Sequence, residues 1–187
     1  MEALFVTSNP NKAREAAGIL GVGLKNVALD LSEPQSLDVE EVAAAKATAA
    51  RHALGSPDRP VLVEDSGIVF RAWNGLPGAL TRWFLQSIGN EGLLTMLSPY
   101  RDRSAGAVCA VAVALPDGSV CSFTGEVEGS VVQEPRGGEG FGWDPIFVPE
   151  GHNETYAELG PRKSEDSHRA RALRAARDGL AGLLSVP

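Results

Sequence analysis

The chain of 187 residues is 43% hydrophobic and 22% charged, ordinary proportions for a globular protein, and it is long enough for one sizeable domain or two lobes sharing a core. Its net charge of −7 argues against a nucleic-acid backbone as the main partner, yet leaves room for a small polyanion held by a local cationic pocket and a metal. No apolar stretch approaches the roughly 20 residues of a membrane span, and residues 3–7 read as a strand rather than a leader, so a cytoplasmic protein with no membrane association is expected.

Residues 3–7 form a short apolar run expected as a buried first strand. Asn9 suits a helix N-cap and Pro10 the first helical position, where its missing N–H costs nothing; a helix is predicted to Leu20, with Gly21 just past its end. Residues 24–31 read as a second strand. Asp38 with Glu41 three residues on resembles a capping box, opening an alanine-rich helix to about Leu54. A third strand begins at Val61 and continues past Ser66 into Ile68, Val69 and Phe70, with Glu64 and Asp65 at an interruption. Asn74-Gly75 and Pro77-Gly78 are turn signals. Residues 81–88 and 90–97 read as two short helices joined at Gly89.

Residues 106–115 and 119–127 form a predicted hairpin, with a further strand at 130–133. If Asp117-Gly118 is a two-residue turn, Cys121 faces Ala114 and Cys109 faces Glu126. The cysteines then lie five ladder positions, roughly 17 Å, apart, too far for a disulfide, so both are expected as buried free thiols. Residues 137–142 are glycine-rich, and 146–148 read as a short strand. A helical pattern runs over 164–184, with Ala172, Leu173, Ala176, Leu180 and Leu183 at helical spacing. Strands and helices interleave while a hairpin sits mid-chain, so the expected class is α/β with a mixed sheet and flanking helices in a single domain.

Polar clusters fall where loops break these elements. In Thr7-Ser8-Asn9-Pro10-Asn11-Lys12 a strand-to-helix turn offers backbone N–H groups, donors from Thr7 and Asn9 and the charge of Lys12: a phosphate cradle in outline, without the P-loop pattern. The same residues also make an ordinary capped helix with a surface lysine. Glu64 and Asp65 precede Ser66-Gly67; neighbours on a strand point to opposite faces, so the two acids are not expected to line one pocket together. In Gly140-Phe141-Gly142-Trp143-Asp144-Pro145 the glycines permit close approach to a ligand, an aromatic ring can stack on a purine, and Asp144 can accept from a ring N–H. Alternatively the rings anchor the loop in the core. Lys163 precedes Ser167-His168-Arg169 at the start of the last helix. Ser167 and His168 sit about 100° apart on a helix with no nucleophile-elbow pattern, which argues against a serine nucleophile.

Val6-Thr7-Ser8-Asn9-Pro10-Asn11-Lys12, Val63-Glu64-Asp65-Ser66-Gly67, Asn74-Gly75-Leu76-Pro77-Gly78, Gly140-Phe141-Gly142-Trp143-Asp144-Pro145-Ile146-Phe147 and Ser167-His168-Arg169, in this order, resemble the inosine triphosphate pyrophosphatase family over nearly the whole chain. The resemblance implies Mg²⁺-dependent hydrolysis of ITP, dITP and XTP to the monophosphate and pyrophosphate, which keeps deaminated purines out of DNA and RNA. It also implies an elongated, two-lobed fold around a substrate cleft, and a homodimer. Carried over residue by residue, it sets Thr7, Ser8, Asn9, Lys12 and Lys46 at the triphosphate. It makes Asp65 a metal ligand and candidate general base, with Ser66 touching substrate. Glu33 is the second metal ligand, with Glu40 and Glu41 as rivals. Arg82, where relatives often carry lysine, contacts substrate. Phe141 stacks on the base beside Gly142 and Trp143, of which Trp143 also anchors the loop; Asp144, Lys163, His168 and Arg169 read the base.

The chemistry asks for these groups. Water attacking phosphorus builds charge on phosphoryl oxygens, which Mg²⁺ neutralises, and a carboxylate within reach orients or deprotonates that water. Two rival readings stay open: a Maf-like pyrophosphatase acting on pyrimidine or methylated nucleotides, and a nucleotide-binding module without turnover.

Overall fold

The computed structural model describes residues 2–138 and 142–183. Within them one six-stranded sheet has the order β2-β1-β3-β4-β5-β6, formed by β1 (Glu2–Val6), β2 (Gly23–Val27), β3 (Val61–Phe70), β4 (Ser104–Ala114), β5 (Val120–Val131) and β6 (Phe147–Pro149). β1 runs parallel to β2 and β3, and the other pairs are antiparallel, so the sheet is mixed, as expected. Parallel neighbours need crossovers, which α1 (Pro10–Leu20) and α2 (Val39–Ala53) supply.

The central strands are buried on both faces, and their period of two sorts the core. Ala3, Phe5, Leu62, Cys109 and Val111 meet α1 and α5 (His168–Leu183) through Ala16, Leu20, Ala172, Leu173 and Ala176. Leu4, Val6, Val61, Val63, Ala110 and Ala112 meet α2 through Val39, Ala43, Ala47 and Ala50. Alanine on alanine lets α2 lie close to the sheet. A third cluster joins Ile68, Phe70, Val127 and Phe147 to α3 (Thr81–Leu97) and α4 (Tyr156–Leu159), with Trp143 buried inside it. No helix among the described residues is long and apolar enough to cross a membrane.

Several expectations hold: α1 begins at Pro10, Asn9 Oδ1 accepts from Lys12 N at 3.3 Å, and Gly21 takes φ +66° just past the helix. The kink between the two short helices is Gly89, at φ 66° and ψ −173° inside α3. Others need correction. β2 ends at Val27, because residues 28–31 leave the sheet and turn toward the cleft described below. β3 has no interruption at Glu64–Asp65; β4 pairs with it along its whole length. The capping box at Asp38 is incomplete: Asp38 Oδ1 accepts from Glu40 N at 2.8 Å, but Glu41 accepts from Ser36 Oγ instead. The hairpin loop spans residues 115–119, so the register slips by one: Cys121 faces Val113 and Cys109 faces Gly125. The cysteines are free, but only Cys109 is buried; Cys121 is half-buried. The strand expected at 130–133 is the end of β5, which stops at Val131. The last helix starts later than expected, at His168, because residues 160–165 form a 3-10 turn and Ser167 caps the helix.

One close stack fixes the loop that carries Glu33. A Cβ on Gly67 would lie 2.1 Å from the Gly78 carbonyl oxygen, and one on Gly78 2.3 Å from that of Leu37. Ala79 N donates to Leu37 O at 3.0 Å, and Thr81 Oγ1 donates to Gly78 O and accepts from Ile68 N. Glycine is required because β3, the 78–81 turn and the segment at Leu37 lie backbone against backbone.

Candidate active site

β1 stops at Val6, opposite Val63, so β3 has no strand beside it on that side from Glu64 until Val69 bridges to Pro77. The gap opens a cleft of about 790 Å³ at the carboxyl ends of the parallel strands, where ligands of open α/β sheets bind. Thr7, Ser8, Asn9 and Lys12 form its floor at the start of α1, and Glu33, Lys46, Asp65 and Ser66 form one wall. Arg82 stands on α3, with its guanidinium 5.3 Å from the Trp83 ring centroid; Gly142 and Trp143 close the far end. A smaller cavity of about 480 Å³ adjoins, sharing Glu33 and Arg82.

The strand alternation sends the two consecutive acids to different helices. Glu64 continues the face of Leu62 and meets α1 and α5: its Oε1 lies 3.0 Å from Lys12 Nζ and 2.9 Å from Arg169 Nε. Asp65 continues the face of Val63 and meets α2: its Oδ1 lies 3.1 Å from Lys46 Nζ, which also sits 2.8 Å from Glu33 Oε1. Yet both acids line the same cleft, contrary to the expectation from strand geometry, because the cleft runs along the free edge of β3 and is reached from both faces.

Their environments set opposite proton affinities. The Glu64 side chain is 1% exposed; burial alone would raise its pKa, but Lys12 and Arg169 hold it below its usual value. For Asp65 burial outweighs Lys46 and pushes the carboxyl above the usual value, which makes it the better base. Burial works against the Lys46 ammonium, but Asp65 and Glu33 together raise its pKa.

Asp144 and Lys163 pair at 2.5 Å, and the lysine nitrogen lies 4.6 Å from the Tyr156 ring centroid and 5.7 Å from that of Trp143. His168 is buried against the same rings, 5.2 Å from Trp143 and 5.9 Å from Tyr156. Burial first, and Lys163 next, hold the imidazole well below its ordinary pKa, so it is neutral. Trp143 also packs edge-on to Phe147 at 5.7 Å, as an anchor does. Asp144, Lys163 and His168 therefore gather around Trp143, beyond the cleft wall that Trp143 forms. The Arg169 guanidinium joins the Glu64 cluster, 3.2 Å from Glu15, and not the aromatic group. Phe141 lies outside the described residues.

Among the described residues no three His, Cys, Asp or Glu side chains gather into an all-protein metal cage. Glu33 and Asp65 nevertheless converge on one point, and Asp65 Oδ2 is buried without a hydrogen-bond partner. Two carboxylates with a free oxygen suit Mg²⁺, which takes its remaining ligands from water and phosphate. The rivals do not converge there: Glu41 is engaged by Ser36, and Glu40 is exposed on the first turn of α2.

Three contributors escaped the sequence reading. Glu15 is legible only in hindsight, three residues after Lys12 and so on the same helical face. Tyr156, under the Lys163 ammonium, lies in a four-residue helix too short to leave a periodic signal. Asn90 Nδ2 donates to Gly142 O at 2.9 Å and ties the glycine loop to α3, a contact with no local signature.

The model of the Ham1 family matches residues 3–179. The dITP/XTP pyrophosphatase of Methanopyrus kandleri is 45% identical over 177 residues, covering 92% of this chain and 93% of that protein. The inosine triphosphate pyrophosphatase of Yarrowia lipolytica is 46% identical over 178 residues, covering 92% of each. Among solved structures, the Ham1 protein of Staphylococcus aureus superimposes with a TM-score of 0.85 at 30% identity, over 98% of this chain and 100% of that one.

Proposed function

The chain belongs to the Ham1 family, and from that premise we propose that it hydrolyses ITP, dITP and XTP to the nucleoside monophosphate and pyrophosphate. The observation that carries the reading is the division of cations around two consecutive acids: Lys12 on Glu64 and Lys46 on Asp65, above the N-terminus of α1. A triphosphate laid across this floor meets the backbone N–H groups and dipole of α1, the hydroxyls of Thr7 and Ser8, the side chain of Asn9, and two ammonium groups. Ser66 and Arg82 flank it.

Asp65 is the general base. Its buried carboxyl, with raised proton affinity, orients the attacking water and takes its proton as the bond between the α and β phosphates breaks. Glu33 and Asp65 would hold magnesium, which when bound neutralises charge on the phosphoryl oxygens. The other end of the cleft takes the base. Asp144 and Lys163 set an acceptor beside a donor, the complement of the N1–H and C6=O edge of hypoxanthine and xanthine; adenine presents the reverse. Gly142 and Trp143 line this end, His168 packs behind Trp143 while Arg169 stays with Glu64, and stacking on the base is assigned to Phe141. The whole chain acts as one catalytic domain, in two lobes about the cleft, and pairs as a homodimer in the cytoplasm.

The test is pyrophosphate release with Mg²⁺ from ITP, XTP, dITP, ATP, GTP, dTTP and UTP. Preference for the first three is expected. Equal rates on ITP, ATP and GTP refute the specificity, and faster turnover of dTTP or UTP moves the chain to a Maf-like activity. Tight ITP binding without product makes it a binding module. Light scattering checks the dimer.

A further inference from the structure

We propose that Lys46 is an exchange cation: its ammonium competes with the metal for Glu33 and Asp65, and passes to the triphosphate when the metal takes those carboxylates. The proposal rests on the magnesium and triphosphate reading above. The Lys46 nitrogen lies 2.8 Å from Glu33 Oε1 and 3.1 Å from Asp65 Oδ1, so it stands where a cation held by both acids would stand. Magnesium binds carboxylate oxygen at about 2.0–2.1 Å, and two cations sharing the same two oxygens repel. The side chains of Lys46, Glu33 and Asp65 are only 15%, 24% and 13% exposed, so water screens that repulsion poorly.

Where the ammonium can go is set by the fold. Ala43, Ala47 and Ala50, all fully buried against the sheet, hold the α2 backbone in place. The four-carbon stem of Lys46 is free to swing while its Cα is not. Lys46 borders the same cleft as Thr7, Asn9 and Lys12, where a triphosphate offers new acceptors. One ammonium thus holds the two carboxylates together before substrate arrives and neutralises phosphate afterwards. The exchange favours metal and nucleotide binding as a unit over either alone.

The experiment measures Mn²⁺ binding to the full chain without nucleotide, at mildly alkaline pH where the carboxylates are ionised, by the electron paramagnetic resonance of free Mn²⁺. Lys46→Met removes the charge and keeps the stem. Its affinity for Mn²⁺ is expected to rise on the order of tenfold over wild type, a usual size for coupling between two ligands. At saturating Mn²⁺, affinity for a non-hydrolysable ITP analogue falls in the same variant. General damage to the site lowers metal affinity, so a gain is not produced by misfolding; if the Met variant aggregates, Lys46→Gln carries the same expectation. Unchanged or weaker Mn²⁺ binding in the variant, with binding in wild type that Glu33→Gln abolishes, overturns the exchange and leaves the magnesium reading standing. Absence of Mn²⁺ binding in both wild type and variant overturns the exchange, and its absence also with the ITP analogue present overturns both. Unchanged analogue affinity overturns the transfer to phosphate.

Discussion

Glu64 and Asp65 are consecutive in β3, yet Glu64 Oε1 lies 3.0 Å from Lys12 Nζ on the α1 side while Asp65 Oδ1 lies 3.1 Å from Lys46 Nζ on the α2 side. One strand edge therefore distributes two negative charges to two helices, and the cleft between them gains a cation on each flank. Burial raises the proton affinity of both acids; Lys12 and Arg169 overturn it at Glu64, while at Asp65 it outweighs Lys46. Glu64 ties β3 to α1 and α5, whereas Asp65 keeps its buried Oδ2 without a hydrogen-bond partner.

Asp65→Asn keeps the shape of the side chain and removes the base. With ITP as substrate, kcat is expected to fall by about 10²-fold or more, the usual contribution of a positioned general base. Circular dichroism should match that of wild type. Retention of wild-type kcat would remove Asp65 from the mechanism.

Glu64→Gln leaves Lys12 and Arg169 facing a neutral amide at a position closed to water. Removing one partner of a buried ion cluster costs about 3 kcal/mol, read as a lower urea midpoint. In an Arg169→Met background the same substitution should cost less, because one of the two charges left uncompensated is already gone. Equal costs in the two backgrounds would mean that the pair is not coupled.

Gly67→Ala drives a methyl group against the Gly78 carbonyl, and Gly78 cannot retreat because its own Cα faces the Leu37 carbonyl. Overpacking of backbone on backbone is expected to cost about 3 kcal/mol and to lower Tm by about 10 °C. A melting point within a degree or two of wild type would show that the stack yields.

His168 sets an acid limit on stability. Its pKa is well below 6.5 when folded and near 6.5 when unfolded, so below pH 6.5 the unfolded chain takes up the proton first. The unfolded state then binds more protons, and stability falls as pH falls, by at most about 1.4 kcal/mol per pH unit from this one group. Above about pH 7.5 His168 contributes almost no slope, and at pH 6.5 about half of the maximum. Urea unfolding of His168→Phe should lack this limb just below pH 6.5; an unchanged limb would assign it to other groups.

Much of the fold was legible in the residues. Asn9, Pro10 and Gly21 mark both ends of α1, since a cap, a fixed φ and a left-handed glycine act on their own backbone. Gly89 marks the kink in α3 for the same reason. Less legible were boundaries that depend on pairing. The end of β2 and the hairpin register each rest on which residues face one another across the sheet.

The sequence by itself determined the element types, the mixed sheet and the polar clusters that make up the cleft, because helix caps, turn residues and the two-residue burial period are local properties of the chain. Only the tertiary structure decided which of those polar groups meet. β1 stops opposite Val63, and this alone lets both neighbours Glu64 and Asp65 reach one cleft. Arg169 is bound to Glu64 across 105 residues of sequence, and Lys46 to Glu33 and Asp65 together. Ion pairs of this kind carry no local signature: they arise where separate elements, each folded for its own reasons, leave charges facing across a gap that burial makes costly to leave unpaired.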